Sequence, residues 1–290
     1  MTRSRSTPDR VLIGAHVPTR GGLIGAIDSA KACGADAAQI WGSNPRAWAH
    51  PSVDDSLRRQ FVEGWQKAGL GPLFIHSPYM VNVASPNRDF RRRSVELARA
   101  TVALAEDIEA RGVVVHAGAG GADTPRPTAV RAAAGSLRSI AEECDATRLL
   151  VELTAGGAGS VASTFAEAGE LFDAAGGDQR LALCVDTCHL FARGYELDSG
   201  DGVAACFGEL RDLRLDGALE LVHANDSMYE RGRRRDSHTH IGEGRIGEHG
   251  FRAILADASV RQCPVLCETP GRLEDHARNI ATLRRLSTVV

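Results

Sequence analysis

Short apolar runs alternate with helical patterns along the whole chain. Each run has four to seven residues and is followed by a stretch with apolar positions at three- or four-residue spacing. Continuous apolar runs predict strands that are buried on both faces, and the wider spacing predicts amphipathic helices. The predicted strands are Val11–Val17, Ala37–Trp41, Pro72–His76, Val113–His116, Leu149–Glu152, Leu181–Asp186, Leu219–His223 and Val265–Glu268.

The helical stretches follow the strands one by one. They cover Gly21–Cys33, Asp54–Ala68, Asp89–Ala110, Pro127–Cys144, Ser163–Ala175, Gly202–Leu213, Gly247–Asp257 and Leu273–Leu286. We expect Gly34, Gly69 and Gly112 to close the first three helices. Eight strand–helix pairs in 290 residues predict an α/β fold, a single-domain (β/α)8 TIM barrel over residues 11–290. The alternative, a doubly wound sheet, is not supported, because no glycine-rich phosphate-binding motif follows a strand.

Composition and charge narrow the function classes. Hydrophobic residues make up 43% of the chain and charged residues 24%, as in ordinary globular proteins. Seven cysteines without paired spacing favour reduced thiols and a cytoplasmic location. No apolar stretch is long enough to predict a membrane span. The basic start, residues 1–10, is predicted to be a disordered tail. A net charge of −3 does not favour nucleic-acid binding, although bound metal ions would add positive charge.

Six successive strands end in side chains that can bind metal ions. In a barrel, the active site lies at the carboxyl ends of the strands. The loop after the seventh strand adds Asp236 and His238, which face the same side if that loop is extended. The complete candidate set is His76, His116, Glu152, Asp186, His189, His223, Asp236, His238 and Glu268.

This set predicts more than one metal ion. A single histidine at a strand end commonly satisfies a backbone group, but six such ends in a row are hard to explain by packing. Carboxylates that crowd one rim repel each other unless cations lie between them. Because one zinc ion takes about four ligands, nine candidates predict two or three ions that share a carboxylate.

A series of motifs, in order along nearly the whole chain after residue 10, resembles the endonuclease IV family of apurinic/apyrimidinic endonucleases. The motifs are IGAHV, HSPYMVNVASPN, VVVHAG, VELTAGGAGS, CVDTCHLFARGYEL, LVHANDS, DSHTHIGEG and CETP. The resemblance implies a TIM barrel with three Zn²⁺ ions, with Mn²⁺ an option at one site. The implied ligand sets are His76, His116 and Glu152 for the first ion; Glu152, Asp186, His223 and Glu268 for the second; and His189, Asp236 and His238 for the third.

The resemblance also implies a reaction and a substrate. It implies a zinc-dependent phosphodiesterase of base excision repair that cuts 5′ to abasic sites and leaves a 3′ hydroxyl and a 5′ deoxyribose phosphate. Removal of 3′ blocking groups is a further implied activity. Glu152 and Glu268 would act around a metal-activated hydroxide, the nucleophile. The expected partner is double-stranded DNA with abasic sites, and the expected state is a monomer with nucleoid-associated activity in a bacterial-type cytoplasm.

DNA-contacting residues follow from the same resemblance. In the family, inserted side chains fill the gap left by the flipped nucleotide, and the matching positions here are Arg46, Tyr79 and Met80. An aromatic and a flexible apolar side chain can replace the lost stacking. The alternative for Tyr79 and Met80 is that they pack a loop. The implied DNA-binding residues are Asn44, Arg46, Tyr79, Met80, Arg231, Arg233, Arg234 and Arg235, with Trp48 as a support for Arg46. Cys188 lies beside His189 and is interpreted as a small packed residue.

Four features depart from the family pattern. Leu153 stands where the family has Asn, and Met228 stands where a lysine is frequent. The glycine loop Gly156–Ser160 lacks a glutamine and is one residue longer, and the segment AGAGGADTPRP after His116 is unusually rich in glycine. These departures concern the orientation of ligands and the DNA contacts rather than the metal-binding core.

Two alternatives remain open from the sequence. A sugar isomerase or epimerase with one metal ion would use Glu152, Asp186, His223 and Glu268, but it would leave the other five candidates unexplained. A protein that binds abasic DNA without cutting it would not need the complete ligand set.

Overall fold

Eight parallel strands close into a barrel in the computed structural model, which describes residues 10–288. The barrel strands are β1 Ile13–His16, β2 Ala38–Trp41, β3 Leu73–His76, β4 Gly112–His116, β5 Arg148–Glu152, β6 Leu181–Asp186, β7 Leu219–His223 and β10 Val265–Cys267. Between β7 and β10, strands β8 Asp226–Ser227 and β9 His238–Thr239 form a separate antiparallel pair. The order around the barrel is β1-β10-β7-β6-β5-β4-β3-β2, so each strand lies beside its neighbours along the chain. The predicted (β/α)8 barrel is confirmed.

Helices connect the strands on the outside of the barrel. They are α1 Leu23–Ala32, α2 Asp55–Lys67, α3 Arg88–Asp107, α4 Arg126–Ala141, α5 Phe165–Ala174, α6 Thr187–Arg193, α7 Gly200–Asp212, α8 Gly247–Ala256 and α9 Leu273–Ser287. Within residues 10–288, none of them combines the length and apolarity needed to cross a membrane. The predicted tail, residues 1–10, falls outside the described residues except for Arg10, so this boundary stays a prediction.

Helix α6 is the element that the hydrophobic pattern did not predict. It begins at Thr187, directly after the last residue of β6, and has only seven residues. All but the last of them are buried, so the apolar run of the strand continues into the helix without a change of periodicity. A helix this short and this buried has no amphipathic pattern to detect.

Two apolar layers hold the barrel together. Inside it, Phe74, Val114, Leu150, Leu221 and Leu266 pack with three small residues and fill the space between the strands. The second layer lies between the strands and the surrounding helices. Because the interior is filled, the polar chemistry is confined to the two ends of the barrel.

The amino end of the barrel carries a buried and fully paired charge. Glu220 is 3% exposed, and its two carboxylate oxygens accept hydrogen bonds from Arg111 at 2.7 Å and Arg148 at 2.6 Å. Two guanidinium groups, which stay charged at every accessible pH, neutralise this carboxylate. The charge of Glu220 is therefore compensated by groups that do not exchange protons.

Gly112 does not close the third helix, and that expectation is wrong. Helix α3 ends at Asp107, and Glu109 takes the left-handed conformation, with φ 57°. Gly112 begins β4 instead, where an added Cβ would lie 2.4 Å from Cδ1 of Leu150. The glycine is needed there because the barrel interior leaves no room for a side chain.

We expect Gly112→Ala to lower the free energy of unfolding by about 1–3 kcal/mol, because it overpacks the barrel interior. The midpoint of urea unfolding measures this change. Gly135→Ala is the matched control: Gly135 lies within α4 with open space around it. This control should raise stability by about 0.5–1 kcal/mol, since alanine is the better helix former. Equal effects of the two substitutions would contradict the packing argument.

Candidate metal centre

The carboxyl ends of the strands open into a pocket of about 940 Å³. Strand register brings the ligand candidates to a common height, because His116 pairs with Glu152 and Asp186 pairs with His223. Asp186 and His223 are fully buried behind the pocket wall. The candidates that line the pocket itself are His76, His116, Glu152, His189, Asp236, His238 and Glu268.

Glu152 lies at the centre of the candidate ligands and is 1% exposed. Its Oε2 lies 3.1 Å from Nε2 of His76 and 3.0 Å from Nε2 of His116. Its Oε1 lies 3.3 Å from Nδ1 of both His189 and His223. One buried carboxylate therefore contacts four imidazole rings.

The candidates form three groups whose ligand atoms lie within 4.8 Å of one another. These groups coincide with the three sets that the sequence resemblance implies, and Glu152 belongs to two of them. A fourth such group joins Asp186 and His238 to Cys188. The groups are His76, His116 and Glu152; Glu152, Asp186, His223 and Glu268; and His189, Asp236 and His238.

The orientation of the rings fits metal ligation. In three of them Nδ1 donates to a backbone carbonyl: His76 to Ser77 at 2.7 Å, His189 to Leu153 at 2.9 Å and His238 to Glu268 at 3.2 Å. A carbonyl oxygen only accepts, so each Nδ1 carries the hydrogen and each Nε2 faces a carboxylate. That arrangement needs either a second proton on the ring or a cation between nitrogen and oxygen. Imidazole nitrogens mixed with carboxylate oxygens are ligands that suit zinc and manganese.

The third group shows how strongly these charges interact. Both carboxylate oxygens of Asp236 face a ring nitrogen at 3.1 Å, one from His189 and one from His238. Burial would raise the pKa of Asp236, but its hydrogen bonds to these two rings lower it. Burial would lower the pKa of His238, but Asp186 and Asp236 raise it to about 9. Without metal, His238 is therefore protonated at neutral pH.

The other carboxylates respond in the same way. Burial would raise the pKa of Glu152, but the surrounding histidines hold it well below its usual value. Burial would also raise the pKa of Glu268, and His223 and His16 lower it. Glu152, Asp236 and Glu268 are therefore ionised at neutral pH and attract cations.

Three further polar side chains at the centre were not among the sequence candidates. Nδ1 of His16 lies 3.0 Å from Oε1 of Glu268, and Nε2 of Gln39 donates to the same oxygen at 2.6 Å. Asn225 donates to Oδ2 of Asp186 at 2.6 Å and accepts from the backbone nitrogen of Glu268 at 2.7 Å. Position was the signal for two of them, because His16 ends β1 and Asn225 follows β7, whereas Gln39 lies inside β2.

The predicted insertion residues lie at the surface beside this centre. Tyr79 is 64% exposed, and its ring packs against Trp41 with 4.7 Å between centroids. Met80 is half-buried, and Arg46 is exposed. The side chain of Asn44 accepts from the backbone nitrogen of Arg46 at 3.0 Å and so shapes their loop. The contacts of Trp48 are instead with Phe90 and Arg93.

The basic segment after β8 is exposed along its length. Arg231 contacts Glu196 at 2.5 Å and Asp198 at 3.9 Å, so its charge is already partly neutralised. Arg235 lies over the ring of Tyr229 at 5.0 Å. Arg233 and Arg234 also belong to this exposed segment.

The departures from the family pattern have a structural account. The side chain of Leu153 is buried in the outer apolar layer, while its carbonyl orients His189. Met228 is 56% exposed, at a position where its side chain faces solvent. Cys188 is buried, and burial raises the pKa of its thiol to about 12, as expected of a packed residue.

The two glycine-rich departures contact each other. Gly120 donates to the carbonyl of Gly159 at 2.9 Å, and Val161 donates to that of Gly118 at 3.2 Å. A Cβ on Gly159 would lie 2.5 Å from the carbonyl oxygen of Gly121. The longer loop after β5 thus packs directly on the glycine-rich segment after β4.

Comparisons with known proteins agree on one family. A model described as a xylose isomerase-like TIM barrel matches residues 27–286. The probable endonuclease 4 of Streptomyces coelicolor is 36% identical over 98% of this chain and 97% of its own length. That of Methanoculleus marisnigri is also 36% identical, over 96% of this chain and 99% of its own.

Solved structures give the same result for the fold. The crystal structure of endonuclease IV from Thermus thermophilus has a TM-score of 0.81 and 30% identity, covering 95% of this chain and 98% of that one. A 3-keto-D-glucoside 4-epimerase from E. coli has a TM-score of 0.70 at 17% identity, covering 96% of this chain and 99% of that one. The second likeness shows a shared barrel fold alone.

We expect metal binding to release protons at pH 7 and to strengthen as the pH rises towards about 9. His238 is protonated below its raised pKa of about 9, and a metal ion needs the neutral ring. Calorimetric titration of the metal-free protein in two buffers of different ionisation enthalpy measures the protons released. His238→Ala should release fewer, whereas His249→Ala, at an exposed histidine of α8, should not differ from the parent. Binding without proton release at pH 7 would contradict these assignments.

Proposed function

The chain belongs to the endonuclease IV family of xylose isomerase-like TIM barrels, and from that premise we propose how it acts on DNA. It is an apurinic/apyrimidinic endonuclease of DNA repair, a hydrolase of phosphodiester bonds. We propose that the enzyme is zinc-dependent and cuts 5′ to abasic sites, leaving a 3′ hydroxyl and a 5′ deoxyribose phosphate. Removal of 3′ blocking groups by the same site is part of this proposal.

One observation carries the proposal. Nine side chains at the carboxyl end of the barrel fall into three groups of metal-binding geometry, and a buried carboxylate joins two of these groups. Hydrolysis of a phosphodiester develops negative charge on the attacking and the leaving oxygen. Two neighbouring metal ions can stabilise both of these oxygens. When bound, zinc would supply a nucleophile at neutral pH and positive charge against the phosphate.

The protein side chains have separate tasks in this proposal. Glu152 keeps two of the groups at a fixed distance, because both of its oxygens are engaged by histidines. Glu268 lines the open pocket as a member of the second group, where its carboxylate would bind the ion and orient the attacking water. His189, Asp236 and His238 hold the third ion.

Substrate recognition is proposed for the exposed residues at the rim. Tyr79 lines the pocket and the half-buried Met80 follows it in the chain, and both side chains are suited to fill the gap left by an extruded nucleotide. Arg46 and Asn44 would contact the strand backbone from the loop after β2. The exposed arginines of residues 231–235 would contact phosphates, with Arg233, Arg234 and Arg235 the freer members because Arg231 is engaged by acidic side chains.

The cellular setting is also a proposal. All seven cysteines are buried and none of them forms a disulfide, which supports a reducing, cytoplasmic environment. We propose that the protein acts as a monomer on double-stranded DNA of the bacterial-type nucleoid.

A sugar epimerase is the second candidate, and the barrel fold alone favours it. That chemistry needs one metal ion, for which Glu152, Asp186, His223 and Glu268 would suffice. Metal content separates the two: about three ions per chain support the nuclease, and about one supports the epimerase. Binding of abasic DNA without turnover, with metal fully loaded, would support the non-enzymatic alternative.

We expect the purified protein to cut a duplex that contains one abasic site and to leave the matched undamaged duplex intact. Electrophoresis of an end-labelled strand measures the cut and identifies its 3′ terminus. Chelation should abolish incision, and added zinc should restore it. Incision that survives complete chelation, or none at all with metal loaded, would refute the proposed function.

We expect Glu152→Gln to disturb two metal sites and His238→Ala to weaken one. Glu152 is itself a member of two groups, whereas His238 belongs to the third group alone among the assigned sets. Metal analysis after dialysis against a weak chelator measures the loss, which should be about two ions against about one. Equal losses from the two variants would show that the ligand assignment is wrong.

A further inference from the structure

We propose that Gln39 is a positioning residue that fixes the tautomer of His223 and the rotamer of Glu268, so that both present their ligand atoms to the same metal ion. This inference rests on the proposed function, because it takes these two residues as metal ligands. Gln39 belongs to β2, is fully buried and is the register partner of His16. Its side chain lies between the two ligands, which come from different strands.

The hydrogen bonds of Gln39 define the orientation of its amide group. Nε2 of Gln39 lies 2.6 Å from Oε1 of Glu268, and Oε1 of Gln39 lies 3.0 Å from Nε2 of His223. A carboxylate only accepts, so the amide nitrogen must face Glu268. The amide oxygen then faces His223 and also only accepts, so Nε2 of His223 carries a hydrogen.

That chain of donors and acceptors leaves Nδ1 of His223 as the ligand atom. It lies 3.3 Å from Oε1 of Glu152 and 3.2 Å from Oε2 of Glu268, among the other ligands of the second group. A neutral imidazole has one unprotonated nitrogen, and ligation needs that nitrogen on the metal side. Gln39 thus selects the tautomer that can bind.

Gln39 also constrains Glu268. Oε1 of this carboxylate is held by Gln39 at 2.6 Å and by Nδ1 of His16 at 3.0 Å. Oε2 is left facing His223 and the metal group. The two hydrogen bonds therefore decide which oxygen is presented to the ion.

His223 differs in this respect from three other histidines of the centre. His76, His189 and His238 are oriented by backbone carbonyls, which no substitution removes. Nε2 of His223 instead faces the side chain of Gln39, which a substitution can remove. This difference makes the role of Gln39 separable from the fold.

The test removes the hydrogen bonds while keeping the volume. In Gln39→Met, we expect the affinity for one of the bound ions to fall by about 10- to 100-fold, with the other ions bound as in the parent. Zinc competition against a chromophoric chelator, on the full-length metal-free protein, measures each affinity without using incision. Thr101→Val is the matched control, because Thr101 is equally buried and its hydroxyl bonds only to Leu97 of the same helix.

Nitrogen NMR of the zinc-loaded protein gives a second readout that a merely structural role would not change. We expect His223 of the parent to carry its hydrogen on Nε2 and to bind the ion through Nδ1, and Gln39→Met to populate both tautomers. Gln39→Glu retains an acceptor for His223 and should restore the Nε2 tautomer, although it loses the donor to Glu268. If Gln39→Met does not fold, Gln39→Leu and the tautomer in Gln39→Glu carry the test.

Three outcomes would overturn the inference: unchanged affinity for all ions, an equal loss of all of them, or an unchanged tautomer of His223 in Gln39→Met. The proposed function is tested separately by incision with the parent protein. A parent that binds its ions but does not cut DNA would refute that function and leave the role of Gln39 to be read from these titrations.

Discussion

The side chains at the carboxyl end of the barrel are arranged around the buried carboxylate of Glu152. Removing a carboxylate from water costs on the order of several kcal/mol, and this one is surrounded by rings rather than by permanent cations. Another buried acid, Glu220 at the amino end, is neutralised by two arginines. Arginine cannot give up its charge, but histidine can. The amino end is therefore permanently compensated, while the carboxyl end can exchange protons for metal ions.

A second buried carboxylate keeps the third metal group in place. Asp226 is fully buried and accepts hydrogen bonds from the backbone nitrogens of Ser227, Gly242, Gly244 and Ile246. It ties together the two ends of the loop that carries the exposed arginines, Asp236 and His238. The small β8–β9 ladder starts from the same residue. The loop can thus be exposed along its length and still have fixed ends.

Much of this arrangement is visible in the sequence, for physical reasons that differ from residue to residue. The strands were located to within a few residues because burial on both faces produces continuous apolar runs. The ligand candidates followed because parallel strands bring their carboxyl ends together, as His116 and Glu152 do by direct register. The grouping into three sets came from the family resemblance, and the geometry agrees with it.

Other features could not be predicted from the pattern. Gln39 looks like any polar residue in an apolar run, since its role depends on which atoms of two distant ligands it meets. Gly112 was misread because a glycine after a helix signals a cap, while its close approach to Leu150 exists only in the closed barrel. Helix α6 was not predicted because it is short and almost entirely buried, and therefore shows no alternation of apolar and polar faces.

The contact between the two glycine-rich segments bears on how this enzyme can be recombined with its relatives. Gly118–Gly121 and Gly156–Val161 fit each other backbone to backbone, with no space for a side chain at Gly159. A chimera that takes only one of these loops from a relative would place it against a second loop whose backbone does not fit it. The two segments therefore form a single unit of exchange, inherited or transplanted together, although more than 30 residues separate them in the chain.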